Sequence, residues 1–464
     1  MSEAALTAYL RQFPPSINTE SIRAQWQALA PTYHVDHWLL PLPLWGRRPL
    51  DQLGPDAWHH LRHYLSHYDT NNPFCLYLHV PFCTSKCHFC DCYSFKLRSH
   101  QTQQCQNYVD RLCEEIQLWS QQGNLNQRPV STVHWGGGTP TFLSAAALTQ
   151  LTTCCRTHFH ITPKTEWALE STVQGLTPEM IHTLHQIGYR RLHLGVQSLE
   201  ESVRQKIGRR QPVKTVLHTI AAMVALGWVV SVDMVCGLPS QTATGFIADL
   251  ETLIALGVNG FSLYELLIYP QNRRWAEAQG LAQRSHLDSY CLFQAGAALL
   301  QRYGFQHNLF NHWADTRDKN LYFTFPTRRE DCLALGTIAD GVLGDYHFRH
   351  PPYAAYMRTC RDGQPGLQGG LWRTSQETAL LPLTTAILSG TIPSHIAAVF
   401  QTIPMGETNL LAHWQQHQFI EASREKEGFC LTANGAWFAG NMVKTLAGLT
   451  ASNISHIPAK NEPL

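Results

Sequence analysis

From about residue 71 onward, short apolar runs alternate along the chain with segments that carry apolar residues at helical spacing. The runs are rich in β-branched and aromatic residues, as buried strands are, and they occupy residues 75–80, 130–135, 166–171, 191–196, 229–235 and 260–266. Strands that alternate with helices pair in parallel through right-handed crossovers. The pattern therefore predicts an α/β protein with a doubly wound sheet or a partial or full barrel, whose chemistry lies at the carboxyl ends of the strands.

The segments on either side of this repeat have a different character. Residues 1–70 are rich in Pro, Trp and His and show no clear strand alternation, so we predict an N-terminal extension. Residues 71–345 contain the alternating predicted strands and helices. Residues 346–464 turn irregular and then helical, which predicts a small, mainly helical C-terminal domain.

Composition excludes several classes of partner and location. The formal net charge is +1, which gives no electrostatic attraction to nucleic acid or an anionic membrane. No apolar run reaches the roughly 18 residues that a membrane span needs, and the first residues lack the layout of a secretory signal. We therefore expect a cytoplasmic protein, in which the 14 cysteines are mostly reduced.

Four of those cysteines lie close together after the first predicted strand, in the sequence HVPFCTSKCHFCDC at residues 79–92. A structural zinc site usually takes two separated ligand pairs, and a redox pair uses two thiols. An iron–sulfur cluster held by three thiolates keeps one iron open for chemistry. The spacing favours an iron–sulfur cluster on Cys83, Cys87 and Cys90, with zinc and redox thiols as alternatives.

Polar residues follow other predicted strands. The turn GGGTP at residues 136–140 allows close approach of a ligand to the backbone. Glu170 and Asp233 are carboxylates that can accept hydrogen bonds, and Gln197 can donate and accept. In the sequence GRRQP, the guanidinium of Arg209 can donate two parallel hydrogen bonds to a carboxylate. By chemistry alone, Arg210 is equally suitable.

The cysteine motif followed by HWGGGTP resembles the radical S-adenosylmethionine (radical SAM) superfamily. The resemblance implies that Cys83, Cys87 and Cys90 hold a [4Fe–4S] cluster whose open iron chelates S-adenosylmethionine (SAM). It also implies that an electron passing through the cluster cleaves SAM to a 5′-deoxyadenosyl radical. A donor such as a flavodoxin or a ferredoxin would supply that electron, and the fold would be a partial (β/α)6 barrel.

Within the superfamily, the motifs LYLHVPFC, HWGGGTPTFL, RRLHLGVQSL, IGRRQP and DMVCGLP resemble, in this order, the oxygen-independent coproporphyrinogen III oxidases and their relatives. Carried over residue by residue, the resemblance assigns SAM contacts to Tyr77, Phe89, Gly137, Gly138, Thr139, Glu170, Gln197, Arg209 and Asp233. Cys92 matches a fourth cysteine of the oxidases. We interpret it as a candidate catalytic residue that contacts substrate, with an inert packed thiol as the alternative.

Three activities occur among these relatives: decarboxylation of coproporphyrinogen, heme transfer by a chaperone, and anaerobic heme methylation with ring opening. The sequences GFSLYELLIYP and, at residues 307–348, HNLFNHWADTRDKNLYFTFPTRREDCLALGTIADGVLGDYHF most resemble the last group. The expected substrate is therefore heme or a related porphyrin. His307, His312 and His347 are candidate axial ligands, although ordinary structural histidines are the simpler interpretation of each.

Overall fold

The computed structural model describes residues 3–29, 46, 48–97, 102–281, 286–359, 364–423 and 427–451. Part of the predicted N-terminal extension and the last residues of the chain lie outside this set. The strands are β1 (Gln52–Leu53), β2 (Phe74–Val80), β3 (Phe82–Cys83), β4 (Phe95–Lys96), β5 (Val130–Gly137), β6 (Glu166–Ser171), β7 (Arg191–Gln197), β8 (Val229–Cys236), β9 (Gly260–Glu265), β10 (Gln306–Leu309), β11 (His312–Ala314), β12 (Asp331–Leu335), β13 (Asp340–Leu343), β14 (Tyr346–Arg349), β15 (Gly369–Trp372), β16 (Thr391–Pro393), β17 (Pro404–Met405), β18 (Thr408–Asn409), β19 (Ile420–Ala422) and β20 (Gly428–Leu431).

The helices cover the outside of the main sheet and dominate both ends of the described chain. They are α1 (Glu3–Leu10), α2 (Thr19–Gln27), α3 (Gly54–Leu65), α4 (Thr102–Ser120), α5 (Ala145–His158), α6 (Pro178–Gln186), α7 (Glu201–Lys206), α8 (Val213–Ala225), α9 (Ala243–Ala255), α10 (Arg273–Ala278), α11 (His286–Arg302), α12 (Tyr353–Thr359), α13 (Ser375–Leu388), α14 (Ser394–Thr402), α15 (Leu410–Gln416), α16 (Ala433–Trp437) and α17 (Ala439–Ala451).

The six predicted strands are confirmed as the parallel centre of the sheet. They are β2 and β5 to β9, and each pairs in parallel with the next in chain order. Nearly all their side chains are buried on both faces, as expected for strands covered by helices on one side and by the barrel interior on the other. Because the strands run the same way, their carboxyl ends meet at one edge.

The helices between these strands begin and end where local sequence predicts. For example, Ser144 caps α5 by accepting a hydrogen bond from the Ala147 backbone N–H, and Thr177 does the same for α6 through Met180. Their buried faces carry Leu, Ile and Val, which pack on the strands in one continuous apolar core. Burial of that core anchors the loops at the strand ends.

The parallel strands belong to an open sheet of 13 strands that extends past β2. On that side β12 pairs in parallel with β2, and β13, β14, β15 and β1 follow in antiparallel order. The predicted boundaries at residues 70 and 345 stay predictions. The sheet itself crosses both, since β1 pairs with β15 and β13 pairs with β14.

A buried polar network closes the barrel interior at the amino ends of β7 and β8. Arg191 forms an ion pair with Asp318, and its guanidinium also donates to Ser231 Oγ at 3.1 Å and Asn320 Oδ1 at 3.0 Å. His312 Nε2 lies 2.8 Å from Asp318 Oδ2. Since Arg191 and Asp318 are nearly inaccessible to water, the network fixes segment 315–320 beneath the barrel.

The C-terminal part of the described chain is mainly helical, as predicted, with a three-stranded sheet of β16, β20 and β19. Helix α11 joins it to the barrel, because Tyr290 donates to Asn434 Oδ1 at 3.1 Å and Gln294 donates to the Ala433 carbonyl at 3.1 Å. Within the described ranges, no helix has the length and apolarity that crossing a membrane requires.

Candidate active site

The cysteine loop leaves the carboxyl end of β2 and is closed at its base by two short strands. β3 and β4 pair in parallel, and Leu97 donates its N–H to the Cys83 carbonyl at 3.1 Å. Within the loop, Cys90 donates its N–H to the Cys87 carbonyl at 3.2 Å. The loop also docks on the end of α7, where the His88 N–H donates to the Ile207 carbonyl at 3.2 Å. These contacts hold the three predicted ligand cysteines on one short wrap of backbone.

The GGGTP turn packs directly against the start of this loop. The Gly138 N–H donates to the Val80 carbonyl and the Thr139 N–H to the Phe82 carbonyl, both at 2.8 Å. Cys83 Sγ lies 3.5 Å from Thr139 Oγ1. A Cβ at Gly138 would lie 2.7 Å from the Phe82 carbonyl oxygen and 3.1 Å from Cys83 Sγ. Glycine is therefore required at this position for the two motifs to meet.

The thiols of the loop differ in their acidity. Burial raises the pKa of the Cys87 thiol, and the nearby Arg209 guanidinium offsets part of that rise. A hydrogen bond from Cys92 lowers the pKa of Cys90 to about 7 and outweighs its burial, while the same contact raises the pKa of Cys92. Cys92, the candidate catalytic residue, is exposed beside the loop. Cys90 is thus ionised more readily at neutral pH than Cys87 or Cys92.

A cleft with a volume of about 330 Å³ opens beside the cysteine loop at the carboxyl ends of the strands. Its wall includes Cys87, Thr139, Gly195, Arg204, Arg209 and Arg210. The cleft therefore brings together predicted residues that lie more than a hundred positions apart in the sequence. Arg209 and Arg210 both face it, so both remain candidates by position.

Arg204 and Arg209 differ in what they bind. Arg204 is buried, and its guanidinium donates to the backbone carbonyls of Val196 at 3.0 Å and Ser198 at 2.9 Å. Arg209 Nε is buried and has no hydrogen-bond partner among the described residues. Arg204 therefore shapes the strand end, whereas Arg209 keeps hydrogen-bonding capacity for a ligand.

Gln197 lies at a β-bulge at the end of β7, where the pairing with β8 shifts register. Its φ is 64°, a left-handed conformation that is uncommon for a residue with a side chain. Its Oε1 is buried without a hydrogen-bond partner in the described chain. A Cβ at Gly195 would lie 2.9 Å from Gln197 Nε2 and 3.1 Å from an Arg209 nitrogen. Gly195 thus leaves the space in which these two side chains approach each other.

The two predicted carboxylates are each held by a histidine from a neighbouring strand. Glu170 Oε1 lies 3.1 Å from His134 Nε2, and Asp233 Oδ1 lies 2.6 Å from His193 Nε2. Burial lowers the pKa of His134 despite Glu170. Burial also acts to lower the pKa of His193, but Asp233 outweighs it and the net pKa is raised. His193 therefore carries a proton, and a positive charge, more readily than His134.

Aromatic rings form the lower wall of the interior. Tyr77 stacks on Tyr322 with ring centroids 4.9 Å apart, and Tyr322 stacks on His134 at 4.2 Å. Phe323 contacts His193 with centroids 5.2 Å apart. The predicted residue Phe89 lies apart from this stack, with its ring centre 5.9 Å from the Arg209 guanidinium carbon.

The three candidate heme ligands lie elsewhere. His312 Nδ1 lies 2.8 Å from Ser262 Oγ, so together with its Asp318 contact both ring nitrogens are engaged. Burial lowers the pKa of His307 to about 3, and its ring packs on Trp313. His347 lies on β14, on the antiparallel side of the sheet. Nothing in their positions brings these histidines to the cleft.

The donor set of the cleft fits the two cofactors that the resemblance implies. Three thiols on one loop match the ligands of an iron–sulfur cluster with one open iron. The partnerless Arg209 Nε and Gln197 Oε1 match a carboxylate and an ammonium group, respectively. No group of three Cys, His, Asp or Glu side chains within the described ranges converges closely enough to hold a single metal ion.

Sequence reasoning did not identify His134, His193, Tyr322 and Arg204. A signal for the histidines was present, because each lies two residues before a glycine at a strand end, on the face that alternation directs into the barrel. Tyr322 comes from a segment without strand or helix periodicity, and nothing in the sequence places it in the interior.

Comparison with known proteins shows which families this chain resembles. A family model described as the radical SAM superfamily matches residues 77–253. The chain is 27% identical over 394 residues to anaerobilin synthase of Escherichia coli O157:H7, covering 80% of this chain and 83% of that protein. It is 30% identical over 349 residues to oxygen-independent coproporphyrinogen III oxidase of Pseudomonas aeruginosa, covering 72% and 74%.

The solved structure of coproporphyrinogen III oxidase (HemN) from Escherichia coli superposes with a TM-score of 0.70 at 21% identity, covering 85% of this chain and 94% of that one. The predicted fold class is thereby confirmed. The chain belongs to the radical SAM superfamily, whose cofactors are a [4Fe–4S] cluster and SAM, and within it to the family of oxygen-independent coproporphyrinogen III oxidases and their relatives.

Proposed function

We propose that this protein is a radical SAM enzyme that acts on heme in the absence of oxygen, transferring a methyl-derived carbon and opening the macrocycle. The reaction class rests on one observation: the cysteine loop, the GGGTP turn and the partnerless Arg209 converge on a single cleft at the strand ends. The choice of heme is supported by the alignment with anaerobilin synthase, which is the longer of the two alignments above.

Each part of the cleft has a proposed role. Cys83, Cys87 and Cys90 hold the cluster, which together with SAM supplies a 5′-deoxyadenosyl radical, and an external flavodoxin or ferredoxin is the proposed electron source. Arg209 binds the SAM carboxylate through its guanidinium. Gln197 accepts from the SAM ammonium, and the backbone of Gly137, Gly138 and Thr139 borders the methionine part.

The interior residues position the remaining groups. His134 and His193 orient Glu170 and Asp233, the proposed acceptors for the ribose hydroxyls or the ammonium of SAM. Tyr322 stacks on Tyr77 and forms part of the wall of the interior next to these residues. Since Tyr322 lies in the segment that most resembles the heme-utilisation proteins, we place the floor of the substrate site there.

The test is the product formed from heme. Protein loaded with cluster and incubated without oxygen with heme, SAM and a strong reductant should consume SAM and bleach the Soret band. A methylated linear tetrapyrrole should appear by mass spectrometry. The same mixture with coproporphyrinogen in place of heme should show no loss of carbon dioxide.

Two results would replace this proposal with a relative's activity. If coproporphyrinogen is decarboxylated and heme is untouched, the protein is an oxidase, an activity named for its 30% identical relative. If heme stays spectroscopically intact, binds tightly and moves to an apo-acceptor without SAM cleavage, the protein is a heme chaperone. The cluster and SAM must be shown to be bound in each case.

A further inference from the structure

A pair of thiols lies on the outer helices of the barrel, away from the cysteine loop. Cys113 is on α4 and Cys154 is on α5, and these two helices pack against each other. Their side chains are within hydrogen-bonding distance of each other, and both residues are half-buried. Neither contributes to the cleft.

The packing of α4 against α5 places these two residues next to each other. Cys154 Sγ lies 3.6 Å from the carbonyl oxygen of Cys113, so one side chain already touches the backbone of the other residue. Helices α4 and α5 pack against each other along their length, so both side chains lie at the same seam between two helices, where a disulfide could connect them. The exposed rim of the pair is polar, since Gln150 Nε2 lies 3.9 Å from Cys113 Sγ and donates to Asp110 at 3.0 Å.

We propose that Cys113 and Cys154 form a reversible thiol–disulfide site that a low-molecular-weight disulfide, such as oxidised glutathione, oxidises. The Cys154 thiolate attacks one sulfur of the external disulfide, whose S–S bond breaks and releases one thiolate. Cys113 then loses its proton to water, and its sulfur attacks the Cys154 sulfur of the mixed disulfide, which releases the second thiol. Two protein thiols lose two electrons, and the external disulfide gains them.

Cys154 is assigned the first attack on physical grounds. The hydrogen bond from Cys113 lowers the pKa of Cys154 and outweighs the opposing effect of burial. The same bond raises the pKa of Cys113. The thiolate is the attacking species, so Cys154 attacks and Cys113 resolves.

The bond would connect two helices that leave the two active-site motifs. Helix α4 follows the cysteine loop, and its Tyr108 hydroxyl donates to the His79 carbonyl at 2.7 Å, next to that loop. Helix α5 begins soon after the GGGTP turn, at the Ser144 cap. Because a crosslink restricts the unfolded chain, the oxidised form should melt at a higher temperature than the reduced form, most visibly in cluster-free protein.

The experiment titrates the full-length protein with mixtures of oxidised and reduced glutathione, blocks free thiols and digests the product. Trypsin alone leaves both cysteines in one peptide, because Arg128 is followed by Pro129. Digestion with trypsin and a glutamate-specific protease separates them into residues 112–114 and 116–156. We expect these two peptides to be joined in oxidised protein and separate after reduction.

The variants identify the partners. Cys113→Ser and Cys154→Ser should each abolish the joined peptide and the rise in melting temperature. Cys155→Ser, which changes the buried neighbour, and Cys105→Ser, which changes a half-buried thiol on the same helix, should preserve both. The proposal is overturned if fully oxidising glutathione leaves wild-type peptides separate, or if the link survives in Cys154→Ser and disappears in Cys155→Ser. If a variant fails to fold, the digest of the wild-type protein still shows whether the two peptides are joined by a disulfide.

Discussion

Replacing Arg209 with alanine should weaken SAM binding while leaving the iron–sulfur cluster in place. Arg209 Nε is buried without a partner among the described residues and the side chain lines the cleft, so a ligand carboxylate would complete its hydrogen bonding. Hydrogen bonds to charged groups contribute about 1.5–3 kcal/mol. Losing them corresponds to a Kd about 10- to 150-fold higher.

The assay is equilibrium dialysis or calorimetry with SAM under anaerobic conditions, on protein whose iron and sulfide content has been measured. Arg210→Ala is the matched control, because it removes the adjacent guanidinium from the wall of the same cleft. Arg209→Lys keeps the charge without the planar fork and should bind SAM with intermediate affinity. If Arg209→Ala binds SAM like the wild type while Arg210→Ala does not, the assignment is displaced by one residue and the reasoning fails.

Three further expectations concern the cluster and the buried charges. Serine at any of the three proposed ligand positions should abolish the broad cluster absorbance, whereas Cys92→Ser should retain most of it; equal loss in Cys92→Ser would contradict the assignment of three ligands. Arg191→Met removes the arginine partner of the buried Asp318 carboxylate and leaves it with His312 and hydrogen-bond donors. The change should lower the free energy of unfolding by about 3–5 kcal/mol, measured by urea titration of apo-protein; a loss below about 1 kcal/mol would show that the remaining partners of Asp318 suffice without the arginine charge. Burial acts to lower the pKa of His350, but Glu115, 2.5 Å away, outweighs it and raises the pKa. The resulting stabilisation is fully present below the unfolded-state pKa of His350, about 6.5, and is lost as the pH rises through the higher folded-state pKa. The difference in unfolding free energy between wild type and His350→Gln should therefore shrink as the pH rises from the unfolded-state pKa to the folded-state pKa.

The parallel centre of the fold could be predicted from sequence because both faces of its strands are buried. In a run such as VVSVDMV five of the seven residues are apolar, and the helices between the runs carry apolar residues at helical spacing. The antiparallel extension was missed for the opposite reason. Its strands are short, and β13 and β14 are joined by a tight turn at Gly344 and Asp345. Each strand is therefore too short to show a clear alternation of apolar and polar residues.

The site divides in the same way. The cysteines and the GGGTP turn are contiguous motifs, so their spacing together with the family resemblance predicted them. The histidines that orient the two carboxylates depend on the register between strands, since Glu170 lies opposite His193 in the pairing of β6 and β7 but bonds to His134 on its other side. Likewise, only the three-dimensional structure reveals that Arg204 is occupied by backbone carbonyls while Arg209 is not.

The proposed role of the cysteine loop is tested most directly by electron–nuclear spectroscopy of the reduced protein with SAM labelled at its amino nitrogen and carboxylate oxygens. Native protein prepared without oxygen should contain about four irons per chain. The signal of its reduced cluster should change when SAM is added and should show coupling to both labels. Stoichiometric zinc without labile sulfide, or a cluster whose signal shows no coupling to bound SAM, would contradict the assignment of Cys83, Cys87 and Cys90 as ligands of a cluster with an open iron.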